Sequence, residues 1–202
     1  MEKQLHKNQT SPRLVLASTS RYRRELLGRL NIPFETDSPN IDETPLQAES
    51  GAECAARLSR LKAQAVASQH AGALIIGSDQ VAECDGQRLD KPGNLQRAIE
   101  QLSWSSGKHA VFSTALTLLN TATGREQTRV IPTTVRYRTL TPAEIERYLE
   151  QEAAFDCAGS ARAEGLGITL LEAIEGNDPT ALIGLPLIAL CAMLREENIA
   201  LP

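Results

Sequence analysis

The stretch ALIIGSDQ, residues 73–80, decides how the rest of the chain is read. Its first five residues, Ala73–Gly77, form a continuous apolar run of strand length, the pattern of a strand buried on both faces. Ser78, Asp79 and Gln80 follow. A carboxylate just after a buried strand sits where α/β sheets place ligands. Asp79 there suits a divalent metal or acceptance of a proton from water. A loop-capping Asp is the plainer alternative.

Upstream, Arg13–Ala17 (RLVLA) reads as a short buried strand, and Ser20 as the cap of a helix. In that helix Tyr22, Leu26 and Leu30 share a face, widened by Leu27. Phe34–Thr36 reads as a second strand, and DSPNIDETP as a polar loop. Ser50 and Glu53 form a capping box. The helix they open carries Cys54, Leu58, Leu61 and Ala65 on its apolar side, with Lys62 one residue off that stripe, and Gly72 ends it. Downstream, Asp85-Gly86 signals a hairpin leading to Lys91-Pro92. A short helix spans residues 94–102. HAVFSTALTLLN and REQTRVIPTTVRYRTL read as antiparallel strands joined by TATG, with Pro132 making part of the second an edge or a bulge. Thr141, Pro142 and Glu144 cap another helix. FDCAGSARAEGLG reads as small and flexible, GITLLEAIEG as a strand, and GLPLIALCAMLREEN as a closing helix. This order predicts a mixed α/β sheet in two lobes around a central cleft.

The bulk composition fits that reading. The chain has 202 residues, 42% hydrophobic and 23% charged, enough for one globular domain with an ordinary core. Residues 1–12, MEKQLHKNQTSP, are polar and read as a flexible tail rather than a signal peptide, leaving 13–202 as the domain. The net charge of −4 argues against non-specific nucleic-acid binding. No apolar run reaches the length of a membrane span. Cys54, Cys84, Cys157 and Cys191 are too far apart for a CxxC site and suit free thiols, so the cytoplasm is expected.

The turn Ser18-Thr19-Ser20-Arg21-Tyr22-Arg23-Arg24 joins a buried strand to a helix N-terminus. Free N–H groups, two serines and three arginines there favour a phosphate. A capped helix with a solvated basic first turn is the alternative. Asp42 and Glu43 alone read as solvated loop acids. Lys62 and Lys91 read as a snorkelling and a surface lysine, or as partners for phosphate charge. His109 reads as structural, and Cys157 and Cys191 as core thiols. SSGKH lacks the upstream Gly of a phosphate-binding Walker loop, and GxGxxG, GxSxG and HExxH are absent.

Taken in order, LASTSRYRRELL, DETP, RLSRLKA, IIGSDQ, DKP, SGKHAV and GLPL resemble the Maf-like nucleotide pyrophosphatases from Arg13 to the last helix. The resemblance implies a two-lobed fold similar to the inosine-triphosphate pyrophosphatases. It implies a cytoplasmic hydrolase using Mg²⁺ or Mn²⁺, acting on a nucleotide, with a homodimer left open. Ser18, Ser20, Arg23 and Arg24 match the motif S-x-S-x-x-R-R and would hold the triphosphate. Asp79 matches the proton acceptor, Glu43 with Asp79 the metal-binding pair, and Lys62 and Lys91 the lysines that steady the phosphates. Many relatives have Pro where this chain has Arg21.

Three positions are similar to the branch of that family that hydrolyses 7-methyl-GTP, not the one for dTTP and UTP. Tyr22 stands where the pyrimidine branch has Arg, Gln80 where it has Thr, and Glu164 where it has Gln. A cationic 7-methylguanine stacks on an aromatic face, and a carboxylate accepts its N–H edge. Otherwise Tyr22 packs on Leu26 and Glu164 is solvated. A broad triphosphate pyrophosphatase, or a non-catalytic septum-regulating nucleotide binder, are the alternatives on function.

Overall fold

The computed structural model describes residues 12–202. The tail expected at residues 1–12 thus lies, but for Pro12, outside the described residues. The elements run β1 (Arg13–Ala17), α1 (Arg21–Gly28), β2 (Phe34–Asp37), α2 (Gly51–Ala67), β3 (Ala73–Cys84), β4 (Gln87–Arg88), α3 (Leu95–Ser105), β5 (His109–Asn120), β6 (Glu126–Tyr137), α4 (Pro142–Gln151), β7 (Leu171–Gly176) and α5 (Leu187–Glu196). Two 3₁₀ turns, Ala158–Ser160 and Leu166–Leu170, lie between α4 and β7.

The sheet order is β2-β1-β3-β5-β6-β7, with β4 paired to the end of β3. β1 is parallel to β2 and β3, and the remaining pairs are antiparallel. The mixed α/β sheet is therefore as expected. β3 and β5 pair from Leu74↔Asn120 to Cys84↔Ala110 and form a spine common to both lobes. At one end Leu16, Ile76, Leu116, Leu26 and Leu190 pack under α1 and α5. On the opposite sheet face Val15, Ile75, Ala63 and Val66 pack under α2. At the other end Phe112, Val135 and Tyr137 meet Leu102 of α3 and Ile145 and Tyr148 of α4. Between these cores β1 stops at Ala17, opposite Gly77, whereas β3 continues. The cleft opens there.

Several expectations need correcting. Asp79 does not follow a strand; it lies in the middle of one, opposite Ala115 of β5. The apolar run stops at Gly77 because the cleft begins there, but β5 supplies hydrogen bonds that carry the strand on. The buried face of α2 is also turned from the one expected. Cys54, Leu58, Ser59, Lys62, Ala63 and Val66 are buried, whereas Leu61 and Ala65 are exposed. Close approach to Gly77 explains this: a Cβ there would lie 2.1 Å from the Ser59 carbonyl oxygen and 2.8 Å from Ala63 N. Only small residues fit at that crossing, so Ser59 and Ala63 face the sheet and carry Lys62 with them. The same helix ends at Ala67, before Gly72.

The strand read in GITLLEAIEG begins only at Leu171, after the 3₁₀ turn Leu166–Leu170, but other local signals held. Both capping boxes form, at Ser50/Glu53 and Thr141/Glu144. Asp85 and Gly86 both have positive φ, 50° and 73°, as a two-residue hairpin with this dipeptide requires. Pro132 sits on β6 just before β7 begins to pair, so its missing N–H faces an open edge.

Candidate active site

The cleft has a volume of about 740 Å³ and reaches from the α1 N-terminus across β3 to the 156–164 segment. Alternation along β3 sorts its side chains. Gly77 and Asp79 face α2, whereas Ser78 and Gln80 face the 181–184 segment.

On the α2 side, Lys62 Nζ lies 2.5 Å from Asp79 Oδ1 and 2.7 Å from Glu43 Oε1. Lys62 and Asp79 are buried; Glu43 is more open. One ammonium thus marks a point on which two carboxylates converge. Burial alone would raise the Glu43 carboxyl, but Lys62, Lys91 and Arg23 outweigh it and hold it below its ordinary value. Asp42 does not join them. It accepts hydrogen bonds from Thr44 N and the Thr44 hydroxyl and shapes the loop instead. Glu49 clamps that loop to α2 through a two-pronged pair with Arg57, at 2.7 and 2.8 Å, and Arg57 also donates to the Thr44 carbonyl.

The turn between β1 and α1 forms a capped helix start. Ser20 caps α1 by accepting from Arg23 N, and Ser18 Oγ accepts from Ser20 N at 3.1 Å. The first turn of α1 carries no acid. Arg23 Nε donates to the Gly184 carbonyl at 2.9 Å, which holds the guanidinium over the cleft. Desolvation pulls Arg23 below its ordinary value, and Asp79 and Glu43 oppose the shift. Ser18, Ser20, Arg23 and Lys91 all line the cleft. Arg24 does not; it points to Thr36 at the sheet edge, 3.5 Å away.

Tyr22, Gln80 and Glu164 also line the cleft. Tyr22 does not pack into the core with Leu26. Its hydroxyl donates to Asp156 at 3.3 Å and accepts from Arg21 at 2.7 Å. Gln80 donates its amide protons to Thr114 Oγ1, at 2.8 Å, and to the Ala181 and Leu182 carbonyls, at 3.0 Å each. Its carbonyl oxygen is the group left for a ligand. Glu164 stands 3.6 Å from Arg162 Nε.

The sequence reading missed several residues. Glu152 accepts from Leu166 N, Gly167 N and Arg162, and so folds the loop that carries Glu164. Asp178 is buried and accepts from Thr180, Ile188 and Ala189. Arg162 lies over Tyr22. Glu152 has no local signature, because it acts on a segment brought to it by the fold; Asp178 has only its short turn to Thr180, and its cap on α5 comes from the fold.

The cleft lining contains five basic side chains (Arg21, Arg23, Lys62, Arg88, Lys91) and five acidic ones (Glu43, Asp79, Asp90, Asp156, Glu164). A polyanion entering it is therefore not neutralised by the chain alone. No cluster of three or more His, Cys, Asp or Glu suited to a metal is present among the described residues. Two converging carboxylates still fit Mg²⁺ or Mn²⁺, since such ions take one or two carboxylates and complete their shell with water and phosphate.

The chain is similar to three proteins named 7-methyl-GTP pyrophosphatase. It is 59% identical to that of Thiobacillus denitrificans over 190 residues, covering 94% of each chain. It is 56% identical to that of Cupriavidus metallidurans, covering 94% of this chain and 95% of that one. It is 53% identical to that of Ralstonia nicotianae, covering 93% and 96%. The family model described as Maf-like protein matches residues 13–197, and the chain belongs to that family.

Proposed function

We propose that this chain hydrolyses 7-methyl-GTP to 7-methyl-GMP and diphosphate. One observation carries the reading: Tyr22 and Glu164 line the same cleft in which Lys62 joins Glu43 to Asp79. An aromatic face and a carboxylate suit a cationic purine with an N–H edge, and the floor suits its phosphates. The names of the relatives agree with this.

The roles follow from position. Ser18, Ser20, Arg23 and the free N–H groups of α1 bind the triphosphate, with Lys91 at the rim. Arg24 reaches it only after its side chain swings from Thr36. Lys62 leaves Asp79 for the phosphate oxygens, which frees the Asp79 carboxylate to accept a proton from the attacking water. Attack at the α-phosphorus releases diphosphate, whose charge Lys62 and Lys91 steady. Glu43 and Asp79 would hold Mg²⁺ or Mn²⁺, which supplies positive charge to the phosphates when bound.

The site is the cytoplasm, in keeping with the four free cysteines. No helix among the described residues is long and apolar enough to cross a membrane.

The test is a panel of 7-methyl-GTP, GTP, dTTP and UTP with each metal, read as diphosphate release. The proposal expects 7-methyl-GTP to lead; equal rates on dTTP and UTP would sink it. Nucleotide binding without diphosphate release would indicate a non-catalytic role. Gln80 favours one second reading, a broader triphosphate pyrophosphatase, because its amide protons are already engaged. An unchanged substrate ranking in Gln80→Thr would fit that broader reading.

A further inference from the structure

Residues 89–93, which carry Lys91, are laced to residues 155–160. The Leu89 carbonyl accepts from Gly159 N at 3.2 Å, and Gly93 N donates to the Phe155 carbonyl at 3.0 Å. A third tie passes through a side chain of α3. Gln101 Nε2 donates to the Asp90 carbonyl at 2.7 Å, and Gln101 Oε1 accepts from the Ser160 hydroxyl at 2.6 Å. The Asp90 carbonyl can only accept, which fixes the nitrogen end of the amide.

Both supports of this bridge are firm. Gln101 stands on α3 next to Leu102 and one turn from Ala98, which are both buried in the core of that lobe. Ser160 is fully buried and has a φ of 57°, a left-handed conformation that a serine keeps only where its surroundings hold it. Lys91, by contrast, is exposed. The peptide leading into it is pinned by Gln101, and Pro92 after it has no N–H to offer. Lys91 lines the cleft, and against burial Lys62 and then Lys91 hold the Glu43 carboxyl below its ordinary value. Gln101 itself lies outside the cleft lining.

We propose that Gln101 is a positioning residue for Lys91. By holding the Asp90–Lys91 peptide to Ser160, it aims the Lys91 ammonium into the cleft toward Glu43, where the phosphates are met. The inference rests on the reading of Lys91 as a lysine that steadies phosphate. Charge stabilisation of a reacting group is sensitive to placement, and a shift of about 1 Å can cost up to ~100-fold. Loss of the Gln101 bridge leaves the Leu89 and Gly93 ties in place, so the loop stays attached and only the aim of Lys91 loosens.

The test is a double-mutant cycle on diphosphate release, run with whichever triphosphate of the panel turns over fastest. Gln101→Ala and Gln101→Glu are each made in the wild type and in Lys91→Ala. Gln101→Glu keeps the size and the acceptor for Ser160 but cannot donate to the Asp90 carbonyl, so the result does not hang on the folding of the Ala variant. Both are expected to lower kcat about ten-fold in the wild type and less than about two-fold in Lys91→Ala, with KM little changed. A merely structural role would lower kcat by the same factor in both backgrounds. That result, or a wild-type kcat in both Gln101 variants, overturns the inference. A Lys91→Ala enzyme as active as the wild type overturns the reading of Lys91 and this inference with it, and that result is visible before any Gln101 variant is made.

Discussion

Lys62 and Asp79 meet at 2.5 Å in the floor of the cleft, and Glu43 shares the same ammonium at 2.7 Å. The acid proposed as proton acceptor is thus held by a cation that must leave it before catalysis. Replacing Asp79 by Asn keeps the shape and a partner for Lys62 but removes the acceptor. The expected result is a fall in kcat of at least ~100-fold, with an unchanged far-UV spectrum. A fully active Asp79→Asn enzyme would rule out the role.

The Lys62–Asp79 contact depends on a glycine two residues before the acid. At Gly77 a Cβ would strike backbone atoms of Ser59 and Ala63, which cannot rotate away. Gly77→Ala should therefore push α2 off the sheet and cost about 3 kcal/mol in denaturant unfolding. Because Lys62 rides on the same helix, kcat should fall too. Full stability in Gly77→Ala would mean that the helix is not seated as described.

These two residues also show what could be read from sequence. Caps, the Asp85-Gly86 turn and the strand at residues 73–77 were legible because their chemistry is local. The α2 face was misread because hydrophobicity favours Leu61 over Lys62. Only the small contact at Gly77, contributed by another element, decides between them. The extension of β3 through Asp79 was hidden for a similar reason: polar residues line a cleft while β5 supplies the pairing. Tyr22 and Glu164 lie 142 positions apart in the chain. Their shared wall emerged from family likeness and from the fold, never from spacing.

The clamp on the Glu43 loop gives a pH dependence. Hydrogen bonds from Arg57 hold the Glu49 carboxyl at about 2, down from 4.5, against the opposing effect of burial. The folded protein therefore keeps this site deprotonated where the unfolded chain protonates it. The stabilisation is full above pH 4.5 and is lost as the pH falls toward 2. Thermal midpoints of the wild type should drop through that window by a few degrees more than those of Glu49→Gln. Parallel curves would show that the pair contributes nothing.

Base choice is testable by exchange. Tyr22→Arg combined with Glu164→Gln removes the stacking face and the carboxylate together. Arg at position 22 would also repel a cationic base. The expected outcome is a loss of at least ~10-fold in kcat/KM for 7-methyl-GTP, with dTTP and UTP gaining relative to it. An unaltered ranking would assign these residues to structure alone.

Asp178 provides a test of how Arg23 is aimed. It accepts from Ile188 N at 2.7 Å and Ala189 N at 3.3 Å, capping α5, whose own N-cap, Pro186, makes no side-chain cap. Its other oxygen takes Thr180 N and the Thr180 hydroxyl. It thus pins both ends of the segment whose Gly184 carbonyl receives Arg23 and Ser78. Asp178→Ala leaves several buried donors unpaired and should cost about 3 kcal/mol. Loosening Gly184 should also raise KM for every triphosphate by a common factor, because Arg23 is proposed to contact phosphate and not base. Asp178→Asn retains an acceptor for one of the two groups and should fall between. A KM change confined to 7-methyl-GTP would instead tie this segment to the base, acting through the Ala181 and Leu182 carbonyls that hold Gln80.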